Sequence, residues 1–97
     1  MSLILLLKRN GTCYPTPAAD IVRFEADGSY THIYTRQGNK FTMSYRLGIY
    51  EEKVRASGLF VRVHDSHLVN YCQMLTYTKG GYVILINSHQ EIGRAHV

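Results

Sequence analysis

Ile21-Val22-Arg23-Phe24-Glu25-Ala26-Asp27-Gly28-Ser29-Tyr30-Thr31-His32-Ile33-Tyr34-Thr35-Arg36 contains two runs of strand-forming residues divided by Asp27-Gly28. Asp-Gly between such runs is a hairpin signal, because glycine supplies the positive φ that a tight turn requires. Ile21 to Ala26 alternates imperfectly, with Val22 and Phe24 expected toward the core. Tyr30 to Arg36 alternates more cleanly. It sets Thr31, Ile33 and Thr35 on one face and Tyr30, His32 and Tyr34 on the other.

The same pattern continues on both sides. Downstream, Gln37-Gly38-Asn39 is a turn and Lys40 to Met43 a returning strand. Upstream, Leu3 to Leu7 is a strand, Asn10-Gly11 a strong two-residue turn and Thr12 to Tyr14 its return. Pro15 and Pro17 are expected to interrupt that ladder. The period changes after Met43. Ser44 can cap a helix from about Tyr45 to Ala56, with Leu47, Tyr50 and Val54 on one stripe and Glu51 paired with Arg55. Gly58 closes it. Phe60 to Val63 is a strand, His64 to His67 a polar turn and Leu68-Val69 apolar again. Met74 to Thr78, Lys79-Gly80-Gly81 and Tyr82 to Ile86 form another hairpin, Asn87-Ser88 a further turn, and the tail a short final strand. Regular strand–helix alternation is absent, which disfavours a doubly wound sheet. The expected class is mainly β, in short antiparallel sheets with one or two helical connections.

Ninety-seven residues suffice for one domain, taken as 1–97. Met1-Ser2 reads as an expression remnant. The net charge of +4, from 11 Lys and Arg against 7 Asp and Glu, suits a polyanionic partner. The basic residues are dispersed, which argues against a polybasic membrane patch. Leu3 to Leu7 is too short to span a bilayer. Two cysteines make no disulfide scaffold, and a reducing compartment is the plainer reading.

Catalytic and metal patterns fail. His64 and His67 have no third ligand at a recognised spacing, so no metal is expected. His64, Asp65 and Ser66 are adjacent, but a triad is a spatial arrangement and no nucleophile elbow is present. Gly80-Gly81 lacks the Lys-Ser/Thr of a phosphate loop. No enzyme and no cofactor are expected. Within Phe60-Val61-Arg62-Val63-His64-Asp65-Ser66-His67-Leu68-Val69-Asn70, Phe60, Leu68 and Val69 are core material by type. His64, Ser66 and Asn70 lie close to that core and must be hydrogen-bonded if buried. Asp65 and His67 are left to point outward.

This run resembles the F-x-R-x-H-x-S-x-x-V-N motif of the LytTR family, the DNA-binding output domain of many bacterial response regulators. Asp20 to Tyr30 resembles the family's "dI-yiEa-gny" strand and turn, and Arg94 after Ile92-Gly93 resembles the arginine ending its last core strand. The resemblance covers about Leu5 to Arg94. It implies a cytoplasmic, sequence-specific binder of double-stranded DNA in transcription regulation. Its loops, rather than a recognition helix, would enter successive major grooves. Repeated sites, self-association on DNA and an upstream receiver domain are implied as well, the chain being an excised output domain. By position, the base-reading residues would be Thr31, His32, Asp65 and Arg94, and the phosphate contacts Lys40, Arg62 and His67. Phe60, His64, Ser66, Val69 and Asn70 would be structural.

Asp65 departs from the family, which often has Asn, Arg or Lys there. A carboxylate is repelled by phosphates but accepts from cytosine N4. Asp65 therefore reads cytosine or organises Arg62. Gly93 stands where serine is common. Helical material that often follows Arg94 is missing, and reduced affinity is expected. A protein-interaction module using the Tyr-rich face is the alternative.

Overall fold

The computed structural model describes residues 3–77, 83–85 and 91–92. Among the described residues the strands form three antiparallel sheets. β1 (Ile4–Arg9) and β2 (Thr12–Pro17) form a two-stranded ribbon. The main sheet has five strands: β3 (Ile21–Asp27), β4 (Tyr30–Thr35), β5 (Lys40–Met43), β6 (Phe60–His64) and β7 (His67–Asn70). Its order is β5-β4-β3-β7-β6. β8 (Met74–Tyr77), β9 (Val83–Leu85) and β10 (Glu91–Ile92) form a small third sheet. The expected mainly β class with antiparallel strands and a helix is the fold observed. The turns expected at 79–81 and 87–88 lie outside the described residues.

Asn10 and Gly11 both take positive φ, 52° and 79°, and join β1 to β2 in the mirror-image turn that matches strand twist. The ladder then runs on through both prolines, Leu6 facing Pro15 and Ile4 facing Pro17. Bonded and non-bonded pairs alternate from the closing pair Arg9–Thr12. Pro15 and Pro17 therefore fall where no N–H is required, and the expected interruption does not occur.

In the β3–β4 hairpin Asp27 still faces Tyr30, so the loop is Gly28-Ser29, one residue later than expected. Gly28 has φ 61°, and Asp27 stays in the strand. The imperfect alternation in β3 is a bulge: Ile21 faces Thr35 and Arg23 faces Tyr34, leaving Val22 as the extra residue. Ile21 and Phe24, three apart, consequently share the core, whereas Val22 is buried outside that cluster.

Helix α1 (Leu47–Val54) starts two residues later than the pattern predicts, because the backbone at Arg46 is still extended (φ −73°, ψ 155°). Its N-cap residue is Arg46 rather than Ser44, and it makes no side-chain capping bond. Leu47, Tyr50 and Val54 are its buried stripe, as the period requires. A 3₁₀ turn, Arg55–Ser57, extends it, and Gly58 at φ 67° ends it. Glu51 does not pair with Arg55, which meets Glu52 at 3.1 Å.

The core lies between α1, the β1–β2 ribbon and one face of the main sheet. Phe24 is its centre, stacked on Tyr50 and edge-on to Phe60, each with centroids 5.3 Å apart. Burial pushes the Tyr50 hydroxyl up to a pKa of about 12.

Candidate nucleic-acid interface

Sheet order decides which loops meet. β3 ends at Asp27, β4 starts at Tyr30, β5 ends at Met43, β6 ends at His64 and β7 starts at His67. All five termini therefore lie at one end of the main sheet. The Ala26 amide donates to the Ser66 carbonyl at 2.8 Å, tying the β3–β4 tip to the β6–β7 turn. Two loops forty residues apart in sequence thus become one surface.

The β6–β7 turn is built from its own side chains. Nδ1 of His64 accepts from the Ser66 amide at 3.1 Å and lies 2.8 Å from Ser66 Oγ. An amide can only donate, so Nδ1 carries no proton and the ring's hydrogen is on Nε2. Arg62 Nε donates to the His64 carbonyl at 3.2 Å and Nη2 to the Asp65 carbonyl at 3.1 Å. Its Nη1 pairs with Glu51 of α1. The Asp65 side chain is left exposed at the tip. Its backbone, not its carboxylate, meets Arg62.

The hairpin tip is arranged differently. His32 lies opposite Thr42 and Glu25. Its Nε2 is 2.9 Å from Asp27 Oδ2 and its Nδ1 2.8 Å from Thr42 Oγ1. In the neutral ring Nε2–H donates to the carboxylate and the threonine hydroxyl donates to Nδ1. Tyr30, half exposed, and Arg46, exposed, flank this end of the sheet.

Two expectations are corrected here. Thr31 does not reach a base: its side chain is 0% exposed and its hydroxyl donates to the Tyr45 carbonyl at 2.7 Å. It faces inward because it shares a strand face with Ile33. His67 does not point outward to a phosphate: it is buried beside Glu25, and its Nδ1 has no hydrogen-bond partner among the described residues. Burial pushes its pKa down, with Arg23 and His64 adding to the effect and Glu25 opposing it.

Of the remaining candidates, His32 and Asp65 are brought to the same end. Lys40 faces Tyr34 at the opposite end of β5, about 10 Å along the strand from Met43 at the usual rise per residue. Arg94 lies outside the described residues. Val69 is fully buried and Phe60 half-buried against the core. Asn70 is fully buried. It donates to the carbonyls of Ala19 and Ile21 at 3.3 and 2.9 Å and accepts from the Cys72 amide at 2.8 Å. It fastens the end of β7 to the start of β3.

Tyr30, Arg46 and Glu51 were not singled out as site residues from sequence. Tyr30 carried a signal, as an aromatic beside the hairpin glycine. Arg46 and Glu51 carried none, and Glu51 meets Arg62 only through the packing of α1 beside the sheet.

Residues 11–94 match the family model of the LytTr DNA-binding domain. The chain belongs to the LytTR family. LytTR domains are non-catalytic and bind DNA as output domains of bacterial response regulators. Among the described residues no group of three or more His, Cys, Asp or Glu could hold a metal. The fold is similar to the LytTr DNA-binding domain of a Bacillus cereus protein described as a methyl-accepting/DNA response regulator. The TM-score is 0.77 at 20% identity, covering 95% of this chain and 85% of that one. No curated protein matches the sequence. Among the described residues no helix is long and apolar enough to cross a membrane.

Proposed function

We propose that this LytTR domain binds double-stranded DNA sequence-specifically, as the cytoplasmic output domain of a two-component response regulator with a receiver upstream. The observation that carries the reading is the Ala26–Ser66 bond. It sets the β3–β4 tip and the β6–β7 turn side by side, where both can approach base edges. Phosphate contacts position the domain and a few side chains select bases. His32 and Asp65 are the base-reading candidates on this surface, and Arg94 is a third by motif position. Lys40, at the far end of β5, is suited to a flanking phosphate. Asp65 accepts from cytosine N4 if it reads a base directly. Repeated sites, with two molecules self-associating on adjacent repeats, complete the proposal.

Selection from a random duplex pool tests it. Enrichment of a repeated motif, with binding that weakens steeply as salt rises, is the expected result. Absence of any enrichment would overturn it. The rival is a protein-interaction module. It draws support from exposed Ile4, Leu6, Tyr45 and Ile49, which line a groove of about 480 Å³ with Met43 and Lys53. A module of that kind shows no salt-dependent duplex binding.

A further inference from the structure

We infer that Glu51 and Arg62 form a clamp that positions the β6–β7 turn, and that Arg62 acts on base preference through this turn rather than by touching a phosphate. The inference rests on the DNA-binding reading above. Arg62 lies on edge strand β6 opposite Leu68, a core residue, and so points to the face that α1 covers. There its Nη1 meets Glu51 while Nε and Nη2 reach the carbonyls of His64 and Asp65. A planar guanidinium can hold three acceptors in one fixed geometry, and an ammonium cannot. The adjoining strand needs such a brace. β6 carries a bulge between Arg62 and His64, so the regular ladder is interrupted just before the turn. With both carbonyls drawn toward Arg62, the exposed Asp65 side chain has a set origin. Glu51 in turn fixes Arg62 from the helix, which relates the turn to the core behind it.

The clamp and a phosphate contact predict opposite behaviour. Glu51→Gln removes a negative charge, and simple electrostatics would tighten binding to a polyanion. Under the clamp the same change relaxes discrimination at the base pair facing Asp65 by about fivefold or more, taking a base contact at its usual worth. Arg62→Lys keeps the charge and loses the fork. Under the clamp it relaxes the same position while leaving the salt slope unchanged. Under a phosphate contact it preserves the preference, and Arg62→Gln lowers the slope by about 0.9.

The experiment measures base preference and salt slope for the unmodified chain, Glu51→Gln and Arg62→Lys on a duplex drawn from the random pool. Amide exchange at Ser66 is followed in the free proteins. Relaxed preference at one position, an unchanged slope and faster Ser66 exchange in both variants is the expected result. Duplex binding by the unmodified chain with undiminished preference in Glu51→Gln, or exchange that does not change, overturns the clamp alone. Failure of the unmodified chain to bind any duplex overturns the DNA-binding reading and this inference with it. If Arg62→Lys does not fold, Glu51→Gln decides, since its carboxylate lies at the surface.

Discussion

The β3–β4 tip and the β6–β7 turn occupy the same end of one sheet and are held by different means. At the tip, Gly28 supplies the required backbone angle, and the side-chain bonds of His32 to Asp27 and Thr42 lie on the paired strands beside it. At the turn, no residue from 64 to 66 takes positive φ, and the shape is kept by side chains. His64 and Ser66 act from within, Arg62 from the strand before and Glu51 from the helix. A tip made by dihedral preference depends on one local position. A turn made by a network depends on residues that lie far apart in sequence, and it can be altered from outside itself. The comparison is sharpest when each support is removed in turn.

The largest effect is expected where the turn's supporting strand is fastened. Asn70→Ala leaves the Ala19 and Ile21 carbonyls and the Cys72 amide without their partner. The cost is about 3 kcal/mol, as for other buried networks left unsatisfied. Chemical denaturation will show it as a lower midpoint with an unchanged slope. His64→Ala follows, at about 1.5 kcal/mol, since the Ser66 amide loses its acceptor in a half-buried site. Gly28→Ala is milder, at about 1 kcal/mol for a side chain forced to positive φ. It should leave amide exchange at Ser66 unaltered. Slower or faster exchange there would mean that the two loops are less independent than their construction implies.

The same division explains what could be read in the sequence. Strand runs, the Asn10-Gly11 turn, the α1 stripe and Gly58 were all legible, because each is a local pattern with a local cause. The hairpin was displaced by one residue because Asp27 and Gly28 are both turn formers, and only the strand register shows that Asp27 belongs to β3. The ladder through Pro15 and Pro17 was missed because the parity of a ladder, set at Arg9–Thr12, is not written at the prolines themselves. Thr31 was placed outward by motif position, and His67 because it lies between residues assigned to the core and the turn. Strand alternation already put Thr31 beside Ile33, and that local evidence was the better guide. His67 depends on the neighbouring strand: it faces Glu25 across the β3–β7 ladder. Glu51 was invisible for the same reason, since its bond to Arg62 crosses from helix to sheet.

His67 gives the β6–β7 side of this surface a pH dependence. Its imidazole is buried and its pKa is pushed below the ordinary value of about 6.5. A base whose folded pKa is lowered binds fewer protons folded than unfolded. Its contribution to stability is therefore fully present above pH of about 6.5 and declines as pH falls through the folded value. Titrating stability from pH 8 to 5 should show that decline. His67→Leu should flatten it, and would also remove a buried nitrogen that has no partner among the described residues. An equal decline in the variant would assign the slope to other groups.

The smallest effect on stability belongs to the tip. The Asp27–His32 pair joins an exposed carboxylate to a ring near the surface, and such pairs are worth about 0.5 kcal/mol or less. Asp27→Asn should therefore leave the denaturation midpoint almost unmoved. Its effect on duplex binding is a separate matter. The substitution takes a negative charge from the surface proposed to face phosphates and loosens the hold on His32 Nε2. Affinity should rise by a few-fold, and most at low salt, where repulsion between exposed charges is least screened. A fall in affinity with stability unchanged would mean instead that Asp27 orients His32 for its contact. The tip would then rely on a side-chain network as the β6–β7 turn does, and the contrast between the two loops would narrow to the single glycine.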